Sequence, residues 1–495
     1  MVRSIIAGAI AIMAVAIPSC AHAASSATAI VIQDQASLRA APRDSAQQQA
    51  VLWQGEALEV RGERMDYLQV WDHKRERGGF VHASQVRRST LTPADAPELL
   101  AVVRFVRDTT GAEALGLGFV AAYIQAAPAE VLNGDAGIEA LDALGTLADR
   151  LAQRASSGAV QSKPAQARLS AHLEVAVRYG VKFTSYERDG RMQICYDGDA
   201  FRRVLSMKSN AQQRARAALG LTRPECVDPQ LGPLERRRTD EWRADVLERV
   251  DAAALPGYLK NRVLMQRASV WSGLAYLRAR SMEAADAAAN RALSELASVN
   301  KTELTDDDSV TYTDVAMRVS ASRWAGVPSS AVAPGKGARI VTAAGEPGET
   351  CIALVDEKHD AAKPLVRRCT YGIVWTSSAT LNREGNAAAI AVQQTATWRE
   401  MWVFRKEPDG WTVNVLPPAT ISPDVGYAEF AGWVPGGTHM LVAREARGEG
   451  KYKRSFELMR ISTLAAERQA ADPGILGAFQ RWQDASWKRQ TVSIR

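Results

Sequence analysis

The chain has 495 residues, more than one hydrophobic core organises, so two to four domains of ordinary size are expected. Its 46% apolar content excludes a mostly disordered chain. The 61 basic and 55 acidic residues leave a net charge of +6, and only Arg236 to Arg238 and Lys451 to Arg454 form short basic runs. No nucleic-acid partner is expected, because such a binder gathers its cations into one face or stripe.

At the N-terminus, Arg3 precedes an apolar run from Ile5 to Ile17 that Pro18 breaks ahead of Ala21-His22-Ala23. This predicts a signal peptide over residues 1–23 and a periplasmic or secreted protein. A competing reading takes Ile17-Pro18-Ser19-Cys20 as a lipobox, with the chain lipid-anchored through Cys20. No later stretch reaches the eighteen or so apolar residues of a membrane span, so no transmembrane segment is expected in the mature chain.

From about residue 29 to residue 90 short alternating apolar strands are separated by Gly, Pro and Asp turns, the pattern of a small closed β unit. Leu38 with Pro42, Gly55 in a tight turn, Tyr67 with Val70, and Gly79-Phe80-Val81 follow one another in order. In this order and spacing the segment resembles a bacterial SH3 (SH3b) domain, which implies a small SH3-like β-barrel and a shallow recognition groove. Flat side chains stack on peptide or sugar in such grooves. Trp53, Tyr67 and Trp71 are the candidates for its wall, with Arg39 and Lys74 or Arg75 as rim charge. Trp53 and Tyr67 could equally fill the barrel core. Asp66, Asp72 and Glu76 read as solvated loop carboxylates.

Residues 97–325 predict an α-rich region. Leu99, Val102, Val103 and Val106 share one helical face, and Leu141, Leu144, Leu147 and Leu151 share another. A hairpin interrupts it at 181–196, where Val181 to Tyr186 and Met192 to Tyr196 flank Asp189-Gly190. Ser269 to Leu296 resembles a single tetratricopeptide-type hairpin through Gly273, Tyr276, Ala285 and Ala292, although an Ala-rich helical hairpin explains the same residues.

Residues 338–495 are β-rich. Tyr371 to Ser377, Ala387 to Gln394, Glu400 to Lys406 and Trp411 to Leu416 read as four strands, and a second set follows from Ala428 to Ile461. Gly385 and Gly437, Ala389 and Leu441, and Phe404 and Phe456 each stand 52 residues apart. The repeat resembles blades of a TolB or WD40 propeller, in a segment with room for two to three. Trp398, Trp402 and Trp411 are expected to pack between blades, and Thr491 to Ile494 is a candidate closing strand. The fold class is therefore multidomain α+β: an SH3-like barrel, an α-rich middle with a hairpin, and a blade-like antiparallel region.

Four cysteines remain after Cys20. Cys351 to Val355 and Pro364 to Cys369 read as paired strands in a register that sets Cys351 opposite Cys369, within disulfide reach. Cys195 and Cys226 are left to each other. No zinc spacing accompanies them, so no metal or other cofactor is expected. No catalytic residue is assigned: His73, His82, His172, His359 and His439 carry no signature, and Ser298-Val-Asn-Lys301 lacks its companion elements. Thr305 or one of Asp306 to Asp308 reads as a helix cap. The expectation is a non-enzymatic cell-envelope binding protein. The SH3b resemblance implies peptidoglycan or an envelope protein as partner. The alternatives are a scaffold subunit of an envelope complex and an envelope hydrolase with an SH3b targeting arm.

Overall fold

The structure, a computed structural model, describes residues 27–157, 162–188, 190–328, 337–420, 424–448 and 450–491. The signal peptide, Cys20, Asp189 and most of the expected closing strand lie outside them. The chain forms two compact units, Met1–Leu132 with Ser162–Gly180, and Asn133–Gln161 with Val181–Arg495. The α-rich middle is thus shared between units.

In the first unit, seven strands form one sheet: β1 (Thr28–Val31), β2 (Ala36–Arg39), β3 (Gln48–Leu52), β4 (Ala57–Arg64), β5 (Tyr67–Asp72), β6 (Arg77–His82) and β7 (Val86–Ser89). Their order is β3-β2-β6-β5-β4-β1-β7, and the two end strands do not pair, so the sheet curls without closing a barrel. Period-2 alternation sends Ala29, Val31, Ala36, Leu38, Leu52, Leu68, Val70 and Val81 into one core. Gly55, in the turn before β4, has φ of +84°, a conformation glycine adopts without a Cβ penalty.

Helices α1 (Ala96–Arg107), α2 (Glu113–Ala126) and α3 (Ala129–Leu132) follow. Leu99, Val103 and Val106 are buried on α1 as their spacing predicts. The chain then contributes α4 (Asp135–Ser156) to the second unit and returns with α5 (Lys163–Arg178), which packs on α2.

The second unit continues with the hairpin β8 (Phe183–Arg188) and β9 (Arg191–Tyr196), then α6 (Asp199–Ser206), α7 (Ala211–Leu221), α8 (Pro233–Glu248), α9 (Gly257–Arg280), α10 (Asp286–Ala297) and α11 (Asp306–Ser322). Thr305 caps α11 by accepting the Asp308 N–H at 3.2 Å, as expected. Cys195 is bonded to Cys226, tying the hairpin to the segment beyond α7.

Strands β10 (Arg339–Ala344), β11 (Thr350–Val355) and β12 (Val366–Thr370) form a small sheet in which Cys351 pairs with Cys369 in the expected register and is bonded to it. Two meanders follow: β13 (Ile373–Leu381), β14 (Ala387–Thr395), β15 (Trp398–Glu407) and β16 (Gly410–Leu416), then β17 (Val425–Val434), β18 (His439–Gly448), β19 (Lys451–Arg460) and β20 (Ala466–Ala470). Corresponding strands keep the repeat read from the glycines and phenylalanines. A short parallel pairing of β15 with β17 joins the meanders into one eight-stranded sheet.

Alternation again sets the layers. Ala388, Ile390 and Val392 face Ile352 and Leu354 of the small sheet, while Ala387 and Ala389 face Ala428, Met440 and Val442 of the second meander. The far side of the second meander is covered by α12 (Gly477–Trp482) and α13 (Ala485–Thr491) through Phe479 and Trp487. Helix α13 includes Thr491, so the expected closing strand begins as the end of a helix. Trp398 and Trp402 are buried within these layers. Among the described residues no helix is long and apolar enough to cross a membrane.

Candidate ligand-binding cleft

The residues expected to wall a groove on the first unit are not gathered into one aromatic surface. Tyr67 and Trp71 lie on the same face of β5 by alternation, but Trp53 follows β3, at the far edge of the sheet. Tyr67 is buried, its hydroxyl donating to Asp44 at 2.5 Å and its ring edge-on to His82. The hydrogen bond to the Asp44 carboxylate raises the phenol's pKa, and Arg39 pulls it the other way. Trp71 is half-buried, with the Arg61 guanidinium 4.4 Å above its ring. Arg39 is spent partly on the Ala46 carbonyl at 3.0 Å.

Two loop expectations are corrected. Asp72 is buried rather than solvated, and Arg75 is not a free rim cation: it bonds Asp72 at 2.6 Å and buried Glu56 at 3.1 Å. Arg178 on α5 brings a second guanidinium to Glu56 at 3.3 Å. Two buried carboxylates therefore share two guanidiniums, the arrangement burial of charge demands. Sequence could not reveal this, since Glu56 before β4, Arg75 after β5 and Arg178 on α5 are brought together only by folding.

His172, 1% exposed, meets Asp34 at 2.7 Å within the same unit. Burial pushes the Asp34 carboxyl up, but the hydrogen bond and charge of His172, the Gln54 N–H and Arg168 outweigh it and hold the group below its ordinary 3.8. A carboxyl depressed on folding contributes stability that is complete above the ordinary value and lost as pH falls through 3.8 and below. Asp34→Asn is expected to lower the melting temperature at pH 7 and to flatten its fall between about pH 5 and pH 3. Parallel curves for the two proteins would refute this linkage. His439 meets Glu467 at 2.8 Å and Thr438 at 2.9 Å, at the surface. Neither histidine stands beside a serine or cysteine nucleophile in a cavity. Glu349 lies next to Cys351 and Cys369, but both sulfurs are committed to the disulfide and offer no thiolate.

The second unit holds a cleft of about 750 Å³, within the size range of small-ligand sites. Helix α4 packs on α7, α7 on α9, α9 on α11 and α11 on the second meander, and the cleft runs across them. Helix α4 turns a polar row toward it at three- and four-residue spacing, Thr146, Asp149, Arg150 and Gln153, and Arg216 on α7 and Arg223 just beyond that helix follow. Arg262, Gln266 and Ser269 continue on α9, and Asp308, Thr311, Asp314 and Arg318 on α11. Arg188 from β8, Arg447 from β18 and Tyr452 from β19 complete the wall. Comparison with protein-family models, curated proteins and solved structures returns no match.

Seven arginines line the cleft against four carboxylates, Asp149, Glu225, Asp308 and Asp314. Most guanidiniums are held by carboxylates. Fully buried Asp142 grips Arg216 through two nitrogens at 3.1 and 2.6 Å, and Asp149 holds Arg223 at 2.5 Å. Asp308, 6% exposed, holds Arg262 at 2.8 Å, and Asp314 holds Arg318 at 2.6 Å and Arg447 at 2.8 Å. Burial pushes Asp149 up against the pull of Arg223. The hydrogen bond from Arg447 draws Asp424 down. A guanidinium fixed on one edge keeps its other N–H groups in a set direction, which suits the docking of an oxyanion. The sequence signal was present as polar residues at helical spacing on α4, α9 and α11, but each row by itself reads as a solvated face.

Proposed function

We propose that the protein is a non-enzymatic binding protein of the cell envelope, exported and stabilised by its two disulfides, whose ligand sits in the arginine-lined cleft. The observation that carries this is the set of guanidiniums anchored by Asp142, Asp149, Asp308 and Asp314 around one concavity. Ordering flexible cations in advance lowers the entropy lost on binding, and it is this loss that limits polar recognition. The N-terminal module, which resembles an SH3b domain, offers a second contact surface to peptidoglycan or a protein partner at Trp71. The left-handed glycine at position 55 before β4 and the order of the short strands support that resemblance.

Cosedimentation of the full chain with purified sacculi and with whole envelope fractions tests the reading. Retention is expected in at least one fraction, and the paired change Arg262→Gln with Arg318→Gln should weaken it about tenfold, roughly 1.4 kcal/mol. Unchanged retention in that variant would remove the cleft from the contact. Loss on Trp71→Ala instead would assign the contact to the N-terminal module.

A further inference from the structure

We infer that Arg150 is the anchoring residue of the cleft and that the ligand presents one oxyanionic group, carboxylate or phosphate, at the α4–α7 end, with uncharged polar groups beyond it. This rests on the cleft being the binding site, as proposed above, and adds the charge pattern of what enters.

The two ends of the cleft differ in charge balance. At the end built from α9, α11 and β18, Arg262, Arg318 and Arg447 face Asp308, Asp314 and Asp424, one carboxylate for each cation. At the other end four arginines, Arg150, Arg188, Arg216 and Arg223, meet only Asp142, Asp149 and Glu225. Arg188 is engaged by the Pro224 and Val227 carbonyls at 3.2 and 2.9 Å. Among the described residues Arg150 has neither a carboxylate nor a carbonyl partner. Its Nη1 is closed off from water without an acceptor, while the side chain as a whole is half-exposed along the cleft wall. With one nitrogen unpaired the guanidinium keeps hydrogen-bonding capacity unspent, and an oxyanion docking against its cleft-facing edge would use that capacity while cancelling the local excess charge.

At the balanced end, an added anion would meet carboxylates as well as cations. The groups offered beside it are the Thr311 and Ser269 hydroxyls, the Tyr452 phenol and the Gln266 amide. Gln266 is oriented by its bond to the buried Thr222 carbonyl. These are hydrogen-bonding partners for hydroxyls or amides rather than for a second charge. The cleft therefore selects a polar molecule with a single charged terminus.

The test titrates the full chain with inorganic phosphate, with acetate and with neutral acetamide at constant ionic strength, reading the melting temperature and heats of binding. A saturable rise is expected with phosphate or acetate and not with acetamide. The anion that binds more tightly identifies the charged group as phosphate or carboxylate. Arg150→Gln should weaken that binding at least tenfold and Arg150→Lys should restore part of it, while Arg203→Gln, on an exposed residue of α6, should leave it unchanged. Equal affinity in Arg150→Gln, or the absence of saturable anion binding, would overturn the anchor. If envelope retention nevertheless stayed sensitive to Arg262→Gln with Arg318→Gln, only the anchor would fall. If that sensitivity were absent too, the cleft reading would fall with it.

Discussion

Replacing Gly55 by alanine is expected to destabilise the N-terminal unit by about 3 kcal/mol or more, the sum of a left-handed backbone penalty and an overpacked contact. An alanine Cβ at this position would lie 2.1 Å from the Ala114 carbonyl oxygen and 2.7 Å from its carbon, both main-chain atoms of the α2 segment. The φ of +84° adds strain on top of the contact. The turn has no room to retreat: the Tyr179 hydroxyl donates to the Gly55 carbonyl at 2.5 Å, and burial pushes that phenol up to about 12. Gly118 meets the same turn from the helix side, where a Cβ would approach the Gly55 oxygen to 2.8 Å. Alanine normally gains about 1 kcal/mol over glycine in a helix, so a destabilising Gly118→Ala would show that the contact outweighs propensity. For a unit of this size the Gly55 effect corresponds to roughly 6–12 °C in the first melting transition. A shift below about 2 °C would mean that the turn and helix can separate without cost.

Glu429→Gln should cost the second unit about 3–5 kcal/mol, the usual penalty for breaking a buried ion pair from one side. Glu429 is 3% exposed and lies between two guanidiniums, Arg323 and the fully buried Arg399. Arg399 reaches Glu429 at 3.3 Å, an ion pair by distance but without hydrogen-bond alignment, and donates to the Ser320 carbonyl at 2.7 Å. Burial lowers its pKa to about 9. Because the unfolded chain keeps the ordinary, higher value, it binds more protons than the folded chain above about pH 9, and stability should rise with pH there. Amide substitution at Glu429 leaves Arg399 with carbonyls and the Tyr427 ring for support. The combination Arg323→Met, Arg399→Met and Glu429→Leu should recover most of the loss, since an apolar set of similar volume carries no desolvation cost. Failure of that recovery, with Glu429→Gln also near neutral, would show that the site is solvated rather than buried.

Much of the architecture was legible in the chain. Alternating apolar residues marked the early strands, and helical spacing placed Leu99, Val103 and Val106 on a buried face. The register arithmetic paired Cys351 with Cys369, and the 52-residue repeat marked two equivalent meanders. The candidate site was much less legible. Tyr67 and Trp71 read as a groove from their type, yet one is sealed beneath His82 and Asp44 and the other is capped by Arg61. Asp72 read as a loop carboxylate because its partner Arg75 is drawn inward by the distant Glu56, a meeting that spacing does not reveal.

By itself the amino-acid order determined the elements, their rough succession and the pairing of neighbouring strands, because periodicity and turn chemistry act between residues a few positions apart. Only the tertiary structure decided which charges face one another. Asp34 and His172 stand 138 residues apart, Asp142 and Arg216 stand 74 apart, and Asp314 and Arg447 stand 133 apart. Those meetings depend on how helices rotate and stack against each other, and a local pattern of apolar and polar residues specifies which face turns inward without specifying what it turns toward.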